Sequence, residues 1–468
     1  MTSPAPHSPA ITPFSREQIL AHFSQASGNS PEALINRRWL ESLFSPRWMD
    51  RESDGLVLPY YRVAELDGVH PHAHGFDSGR RLREIDRELI PLKVRTYDRH
   101  AGRARVVWPE VPPGVQAVWE LELACTKPNE YIQRVDFITG QALSRRERQA
   151  ALQEYANALR VNVRAPEEHP GLALQSYLNE QPQQRLTRLV KANWERACEA
   201  TLALPVGAGK RLALGTMLHL AEQQHLIYNT VSGSHRLFAM GVNLTQLPRT
   251  VRHRLLRGTW QHDLTCAQLA IVARVWGIPP LLAFLEDQAR SIWTLLLESV
   301  GADDTYKPVL KKAVYRIIFG GRRDRALLEL AHGNSVNPGM GKEKGTALLQ
   351  HPLMVALFAA RDRALVEIGR AGGVRDAFGA WHPLPNKTSK ARRSLLALQA
   401  QSYEQHLMLA LVPVLEAEQK TRVVAWLHDG FYSLGPEPER VQKRLERAVN
   451  GAAWDLRIPT RLESKPIN

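Results

Sequence analysis

Hydrophobic and polar positions divide the chain into segments with different periodicities. Residues 1–13, rich in Pro, Ser and Thr, lack a periodic apolar pattern, which predicts a disordered tail. Residues 15–44 repeat apolar positions at helical spacing, whereas residues 56–136 contain short β-rich runs separated by Gly and Pro. We therefore expect residues 14–145 to form a small mixed α/β N-terminal domain, whose role the residues do not reveal.

Helical patterns dominate the chain after residue 144. Residues 145–159, 184–202 and 209–225 are rich in Leu, Ala, Arg and Glu, which predicts long helices and a thumb-like helical region over residues 146–225. Farther along, strand-like runs alternate with helical blocks. The strand-like runs are residues 226–231, 259–263 and 423–428, and the helical blocks are residues 264–276, 291–300, 306–319, 353–370 and 394–419. This order predicts an α+β fold with acidic residues at strand ends.

Composition narrows the classes of partner and compartment. The formal net charge of +14 favours a polyanionic partner. Nucleic acid is the first candidate, although an acidic membrane surface or an acidic protein offers the same charge. The three cysteines are scattered, without the paired spacing of a disulfide framework or a thiolate zinc site. Because the chain has neither a signal-peptide pattern nor a long apolar run, we expect a cytoplasmic protein without a membrane partner.

Two distant segments each end a strand-like run on an aspartate. In the first, a short strand reaches Asp263 and a helix begins; in the second, an apolar strand reaches His428 and Asp429 at a turn that Gly430 permits. Carboxylates at strand ends can face one another and hold two Mg²⁺ ions, which clamp the attacking and leaving oxygens of a phosphoryl displacement. Taken singly, an aspartate at a helix start is more often a cap.

A third segment, between these two, places basic and aromatic residues at four-residue steps. Lys307, Lys311, Tyr315 and Phe319 share one face of a predicted helix. Two ammonium groups followed by two rings can hold a triphosphate at one end and stack on sugar and base at the other. For a lone helix, a solvated basic face is the plainer interpretation. The combination with the two aspartate-bearing turns favours a catalytic role for this helix instead.

Together the three segments resemble motifs A, B and C of the family A DNA polymerases and of the related phage-type single-subunit RNA polymerases. Lys307 stands where that pattern usually has Arg, and Phe319, before Gly320, stands where it usually has Tyr. Residues 228–248 and 373–379 resemble two further stretches of the DNA polymerases, the second of which is a hairpin before motif C. The resemblance covers roughly residues 183–468 and implies a right-hand fold, with palm and fingers over residues 226–468 and the fingers near 277–370.

The resemblance implies a role for each matching residue. Asp263 and Asp429 would bind two Mg²⁺ ions, for which Mn²⁺ can substitute. Lys307 would hold the outer phosphates, and Lys311 would contact the triphosphate and protonate the departing pyrophosphate. The remaining matches fall into a nucleotide-contacting group and a group that contacts the DNA template-primer. They are Gln268, Tyr315, Phe319 and Gly320 for the nucleotide, and Arg236, Asn243, Gln246, Arg393, Gln401 and His428 for the template-primer.

The choice between DNA and RNA as product depends chiefly on Gln268. It occupies the place of the Glu with which DNA polymerases of the family exclude a ribose 2′-hydroxyl, and a Gln side chain still fills that space. We therefore expect dNTPs as substrates and a DNA product, with RNA or rNTPs as further partners. One departure is that Gly430 follows Asp429 where the DNA enzymes carry a second acid and the RNA enzymes a Ser.

The sequence thus predicts a small DNA polymerase without a recognisable proofreading exonuclease, of the kind that a mobile element carries. The alternatives are a single-subunit RNA polymerase or primase on the same palm, and a non-catalytic relic that binds nucleic acid. The N-terminal domain could contact a replication partner. His70, His72 and His74 alternate along an extended segment and could bind a metal from one face, but without further ligands a polar loop is the favoured interpretation.

Overall fold

A computed structural model describes most of the chain from residue 169 onward and several segments before it. The described residues are 10–13, 23, 30–43, 56–57, 63, 67, 77–95, 106–110, 132–135, 144, 146, 150, 169–181, 184–205, 210, 213, 216–217, 220, 226–230, 233–240, 243–287, 290–333, 338–386 and 388–468. Much of the β-rich segment 56–136, most of the helices expected at 145–159 and 209–225, and the three alternating histidines near residue 72 lie outside these ranges.

The N-terminal part combines short strands with two helices. Residues 10–13, expected in a disordered tail, instead form a strand whose register runs from Ala10↔Val135 to Pro13↔Ile132. A second antiparallel sheet has the order β2-β4-β3. The elements are β1 (Ala10–Pro13), α1 (Pro31–Leu43), β2 (Leu56–Val57), α2 (Ser78–Glu88), β3 (Leu92–Arg95), β4 (Val106–Pro109) and β5 (Ile132–Val135).

Helix α2 lies inside the segment for which the sequence pattern indicated strands. The side chain of Asp77 accepts a hydrogen bond from the backbone N–H of Gly79 at 2.8 Å and so caps the first turn. Leu82 and Ile85 are buried on one face of the helix. This mixture of strands and helix is consistent with the predicted mixed α/β composition of the N-terminal part.

Three helices follow: α3 (Leu172–Glu180), α4 (Gln184–Ala192) and α5 (Trp194–Leu202). The single helix expected over residues 184–202 is wrong, because the chain breaks at Asn193. Its buried side-chain amide donates to the backbone oxygens of Leu255 and Arg257, at 3.2 and 3.0 Å. These bonds attach the break to the end of the later helix α6 (Arg249–Leu255), a long-range contact that local periodicity does not encode.

A short hairpin and a capped turn precede the first aspartate segment. Strands β6 (Tyr228–Thr230) and β7 (Leu237–Ala239) pair antiparallel, and β8 (Trp260–Leu264) confirms the strand expected at 259–263. Between them, Asn243 and Gln246 form a capping box around one turn of 3-10 helix. Both side chains are therefore engaged locally, and their contact with a template-primer stays a prediction.

The helices expected at residues 264–276, 291–300, 306–319 and 353–370 are confirmed, and three further helices that the sequence pattern did not predict lie between residues 279 and 350. A hairpin then follows at the position where residues 373–379 resemble one. The elements are α7 (Ala267–Val275), α8 (Pro279–Asp287), α9 (Ile292–Glu298), α10 (Lys307–Ile318), α11 (Arg323–His332), α12 (Lys342–Gln350), α13 (Pro352–Ala371), β9 (Gly373–Arg375) and β10 (Trp381–Pro383).

The C-terminal part completes a four-stranded antiparallel sheet with the order β11-β12-β8-β13. Helix ends differ from the expected single block at 394–419, which is divided near Ala410. The elements are α14 (Ser389–Leu409), α15 (Val412–Ala417), β11 (Arg422–Leu427), β12 (Gly430–Leu434), α16 (Pro438–Asp455) and β13 (Leu462–Pro466).

One buried apolar cluster contains residues from Phe23 to Ile467, including residues of all four strands of this sheet. A small second cluster forms around Leu396, between α13, β9 and α14. The arrangement is an α+β fold in which small antiparallel sheets are packed against many helices. Among the described residues, no helix is both long enough and apolar enough to cross a membrane.

Candidate active site

The strand register brings Asp263 and Asp429 together. Gly430 lies opposite Asp263 in the β12–β8 pair, and the N–H of Leu264 donates to the backbone oxygen of Asp429 at 3.0 Å. Because Asp429 immediately precedes Gly430, the register places the two aspartates at neighbouring strand ends, and the charge of Asp263 is close enough to raise the pKa of Asp429.

Gly430 accounts for a departure from the polymerase pattern. A Cβ at this position would collide with the Oδ1 atom of Asp263 and with the backbone oxygen of His262. The second acid that DNA polymerases carry after the motif C aspartate therefore cannot be accommodated here without moving Asp263.

The backbone is strained beside each aspartate. Cys266, at the start of α7, has φ 51°, and His428, directly before Asp429, has φ 24°, both in the left-handed region that side chains other than glycine rarely adopt. The Nδ1 atom of His428 lies 3.1 Å from the backbone oxygen of Leu237, and its ring meets that of Phe238 edge-on at 4.6 Å. Strain held in place by such contacts is typical of functional sites.

Both aspartates line a cavity of about 670 Å³. Its wall carries more basic than acidic side chains, which suits an anionic ligand. The acidic residues are Asp263, Asp429 and Glu463, and the basic ones are Arg249, Arg252, Arg290, Lys307, Lys311, Arg461 and Lys465.

Helix α10 presents three of the predicted residues to this cavity. Lys307, Lys311 and Tyr315 line it and are half-buried, while Lys312 and Arg316 on the outer face are exposed. The Nζ atom of Lys311 lies 5.3 Å from the centre of the Trp293 ring. Burial lowers the pKa of Lys311, and the nearby charge of Lys307 lowers it further. A lysine whose pKa is lowered in this way can release a proton more readily.

The two carboxylates differ in their electrostatic surroundings. Burial and, to a lesser extent, the negative charge of Glu404 raise the pKa of Asp429 to about 7, although the positive charge of Arg236 opposes both. Burial also raises the pKa of Asp263, but Lys465 and Arg249 oppose that effect. The site thus holds an excess of negative charge next to Asp429, which a bound cation would neutralise.

Phe319 and Gly320 lie just beyond the end of α10 and outside the cavity wall. The guanidinium carbon of Arg236 lies 5.9 Å from the centre of the Phe319 ring. Gly320 has φ 78°, and a Cβ there would collide with the side chain of Arg393, which packs against it. The hydroxyl of Ser234 donates to the side-chain oxygen of Gln401 at 2.8 Å. The contacts of Phe319 and Gly320 with the nucleotide stay predictions. The contacts of Arg236, Arg393 and Gln401 with the template-primer also stay predictions.

Glu404 is a buried residue that the sequence patterns did not single out. Its carboxylate, in α14, is 1 % exposed and accepts two hydrogen bonds from Arg236, at 2.7 and 2.8 Å. The side-chain amide of Gln268 donates to the same carboxylate. An acidic residue within the apolar run of α14 was the available signal, because a buried carboxylate requires partners.

The contact with Glu404 changes the picture of Gln268. Its side chain is buried and directed to Glu404, and Gln268 is not among the residues that line the cavity. The expected contact with a nucleotide sugar therefore requires that this hydrogen bond rearrange, or that Gln268 acts on the cavity through Glu404 and Arg236.

Comparison with known proteins leaves the family open. No protein-family model matches the chain, and no curated protein sequence matches it. Among solved structures, it is similar to the POL domain of Pol1 from M. smegmatis in complex with DNA primer-template and dNTP, with a TM-score of 0.45 and 14 % sequence identity over 68 % of this chain and 72 % of that chain. At this TM-score and identity, the similarity does not establish a shared activity.

Proposed function

We propose that the cavity catalyses template-directed transfer of nucleotides from dNTPs to the end of a DNA primer. The observation that supports this proposal is that Asp263 and Asp429, at adjacent strand ends, share one basic cavity with Lys307, Lys311 and Tyr315. Phosphoryl transfer requires carboxylates that hold metal ions and cations that neutralise the phosphates, and this cavity supplies both.

The oxygen atoms of the site fit Mg²⁺. Asp263 and Asp429 supply hard carboxylate ligands, and the raised pKa of Asp429 indicates that its charge lacks sufficient neutralisation. Two more oxygens at the cavity, Oε1 of Gln261 and Oγ1 of Thr265, are buried without a hydrogen-bond partner among the described residues. When bound, the ions would polarise the phosphate and stabilise the attacking and leaving oxygens.

In this proposal the helix α10 binds the nucleotide. Lys307 and Lys311 neutralise the triphosphate, and the lowered pKa of Lys311 suits it to donate the proton that the departing pyrophosphate takes up. Tyr315 packs beside the sugar. Arg249, Arg252 and the other basic residues of the wall attract the phosphates of the template-primer.

The proposed architecture is that of a right hand. The sheet β11-β12-β8-β13 is the palm, α8 to α13 are the fingers, and α3 to α5 belong to the thumb. The support for this assignment is that the strands carry the aspartates while the cation-bearing helix α10 belongs to the helical segment between them.

The second candidate function is RNA synthesis on the same palm. It is favoured by one observation, that the side chain of Gln268 is held by Glu404 and does not line the cavity. A Gln268 side chain that does not reach the sugar would leave room for a ribose 2′-hydroxyl, so that rNTPs would serve as substrates as well as dNTPs.

Extension of a labelled primer tests both functions. The protein is supplied with DNA or RNA template, with dNTPs or rNTPs, and with or without a primer, in Mg²⁺ or Mn²⁺. Asp263→Ala and Asp429→Ala should each abolish incorporation while binding of the template-primer, measured by fluorescence anisotropy, stays nearly unchanged. Asp455→Ala, at an exposed position on α16, is the matched control. Normal incorporation by either active-site variant would refute the assignment of the site.

A further inference from the structure

A second cluster of metal-ligating side chains lies outside the cavity. Asp376, in the turn between β9 and β10, has its Oδ2 atom 3.2 Å from Nε2 of His235 and 2.8 Å from Nε2 of His382. The ligand atoms of these three side chains all lie within 4.8 Å of one another, close enough to share a metal ion, and no other such group of His, Cys, Asp or Glu occurs in the described part of the chain.

The burial of His235 is not explained by hydrogen bonds within the fold. It is 6 % exposed, and neither of its ring nitrogens has a hydrogen-bond partner among the described residues. The 3.2 Å approach to Asp376 does not have hydrogen-bond geometry. A buried imidazole without a partner is costly, since its donor and acceptor have left water without replacement.

A fourth imidazole adjoins the cluster. The ring of His169 lies 5.9 Å from that of His235, and its Nδ1 accepts the N–H of Gly171 at 3.0 Å. Because the neutral ring accepts at Nδ1, its proton is on Nε2, which is a donor and not a metal ligand in this arrangement. That atom is also buried without a hydrogen-bond partner among the described residues. Two adjacent histidines thus keep nitrogens unsatisfied around one small region.

We propose that His235, Asp376 and His382 bind a divalent transition-metal ion, with Zn²⁺ as the best match. Two imidazole nitrogens and one carboxylate oxygen suit Zn²⁺ and related first-row ions, whereas Mg²⁺ and Ca²⁺ prefer oxygen ligands. Ligands about 2.0–2.1 Å from a tetrahedral Zn²⁺ lie about 3.3 Å apart, so the separations of 3.2 and 2.8 Å from the Asp376 oxygen would lengthen by about 0.1 and 0.5 Å.

Hydrogen bonds from the backbone support one of the ligands. The other oxygen of Asp376 accepts the backbone N–H groups of Phe378 and Ala380, each at 2.9 Å, so that the turn itself orients the carboxylate. Backbone support of a ligand in this manner raises metal affinity.

The metal would connect parts of the chain that are far apart in sequence. His235 precedes β7 and is followed directly by Arg236, which binds Glu404 close to Asp429. Asp376 and His382 belong to the β9–β10 hairpin, whose turn is also attached to α14 by the N–H of Ala377 donating to Ser402 at 2.9 Å. A structural metal here would therefore hold the hairpin against the segment that positions Arg236.

The test is a Zn²⁺ titration of the full chain after chelator treatment and dialysis. Competition with a chromophoric chelator gives the affinity, and Co²⁺ in place of Zn²⁺ reports nitrogen ligation through its visible absorption bands. The titration is made in the Asp263→Asn/Asp429→Asn background, so that the cavity carboxylates contribute no binding. His382→Gln and the double variant His235→Gln/His382→Gln remove ligands, and His332→Gln, at an exposed position, is the matched control.

We expect one equivalent of Zn²⁺ to bind, Co²⁺ to give visible bands, and the affinity to fall at least about 100-fold in the double variant but not in the control. Circular dichroism of each variant checks that it is folded, and His382→Gln, at the most exposed ligand of the three, serves if the double variant is not. Absence of stoichiometric binding, or equal binding by the folded variants lacking these histidines, would overturn the proposal. Because the background lacks both aspartates, the outcome is independent of the polymerase assignment.

Discussion

Replacing Asp429 by asparagine should make the metal-free protein more stable, although the residue is proposed to be catalytic. The half-buried carboxyl group of Asp429 is close to Glu404 and Asp263, and burial together with their negative charges raises its pKa from 3.8 to about 7. Asparagine keeps the shape of the protonated side chain without the charge. The variant therefore relieves an electrostatic strain that the wild-type protein retains until a cation binds.

The size and pH dependence of the effect follow from that pKa. A difference of about three pKa units corresponds to about 4 kcal/mol at pH values above both pKa values, and this pKa already includes the opposing charge of Arg236, so the gain of the variant at pH 8 should not exceed about 4 kcal/mol. Because the folded pKa lies above the unfolded one, the destabilisation is absent below about pH 4, develops between about pH 4 and pH 7, and is complete above that. The gain in the variant should follow the same course.

Urea denaturation at several pH values, with EDTA present, measures this difference. Asp455→Asn, which removes an exposed carboxylate on α16, should change the free energy of unfolding by no more than about 0.5 kcal/mol at any pH. Adding Mg²⁺ should stabilise the wild-type protein more than Asp429→Asn, since binding to the folded state adds to stability. A variant that is less stable than wild type at pH 8, or whose gain is the same at pH 5 and pH 8, would refute the electrostatic account of Asp429.

Three further predictions concern the cavity and its surroundings. Gln268→Gly should raise the use of rNTPs relative to dNTPs by roughly 10²-fold in primer extension, and Phe319→Tyr should give a smaller change. If the wild-type protein already uses both kinds of nucleotide and Gln268→Gly does not alter their ratio, the RNA-synthesis alternative is favoured. Glu404→Gln should leave Arg236 buried without its ion pair and lower the free energy of unfolding by about 3–5 kcal/mol, and an unaltered urea midpoint would show that Arg236 finds another partner. Duplex binding should weaken about 10²-fold or more between about 50 and 200 mM salt, whereas salt-independent affinity would exclude the basic cavity wall as the phosphate-binding surface.

Local patterns in the sequence were sufficient for some elements near the site but did not predict strands β12 and β13. Strand β8, strand β11 and helix α10 form where their periodicities predicted, because alternation and four-residue spacing are properties of neighbouring residues. The same patterns overran at Asn193, where a side chain binds backbone oxygens more than sixty residues away and divides the helix. A break imposed from outside the segment leaves little trace in its own sequence.

Five residues of the cavity were predictable one by one, whereas Gln268, Phe319 and Gly320, also assigned to the nucleotide, do not line it. Asp263, Asp429, Lys307, Lys311 and Tyr315 were selected for their chemical types and spacing, and the structure brings all five to one cavity. Their common location follows from the β12–β8 register and from the packing of α10, neither of which a single segment encodes.

The tertiary structure decided the features that depend on residues distant in the chain. The sequence by itself determined an α+β fold and a set of carboxylates and cations able to serve phosphoryl transfer, because residue type and periodicity are local. Glu404 meets Arg236 and Gln268 across 168 and 136 positions. His235 likewise meets Asp376 only when two hairpins adjoin. Contacts of that kind arise from the folding of the whole chain, since burial forces separated polar groups to find one another.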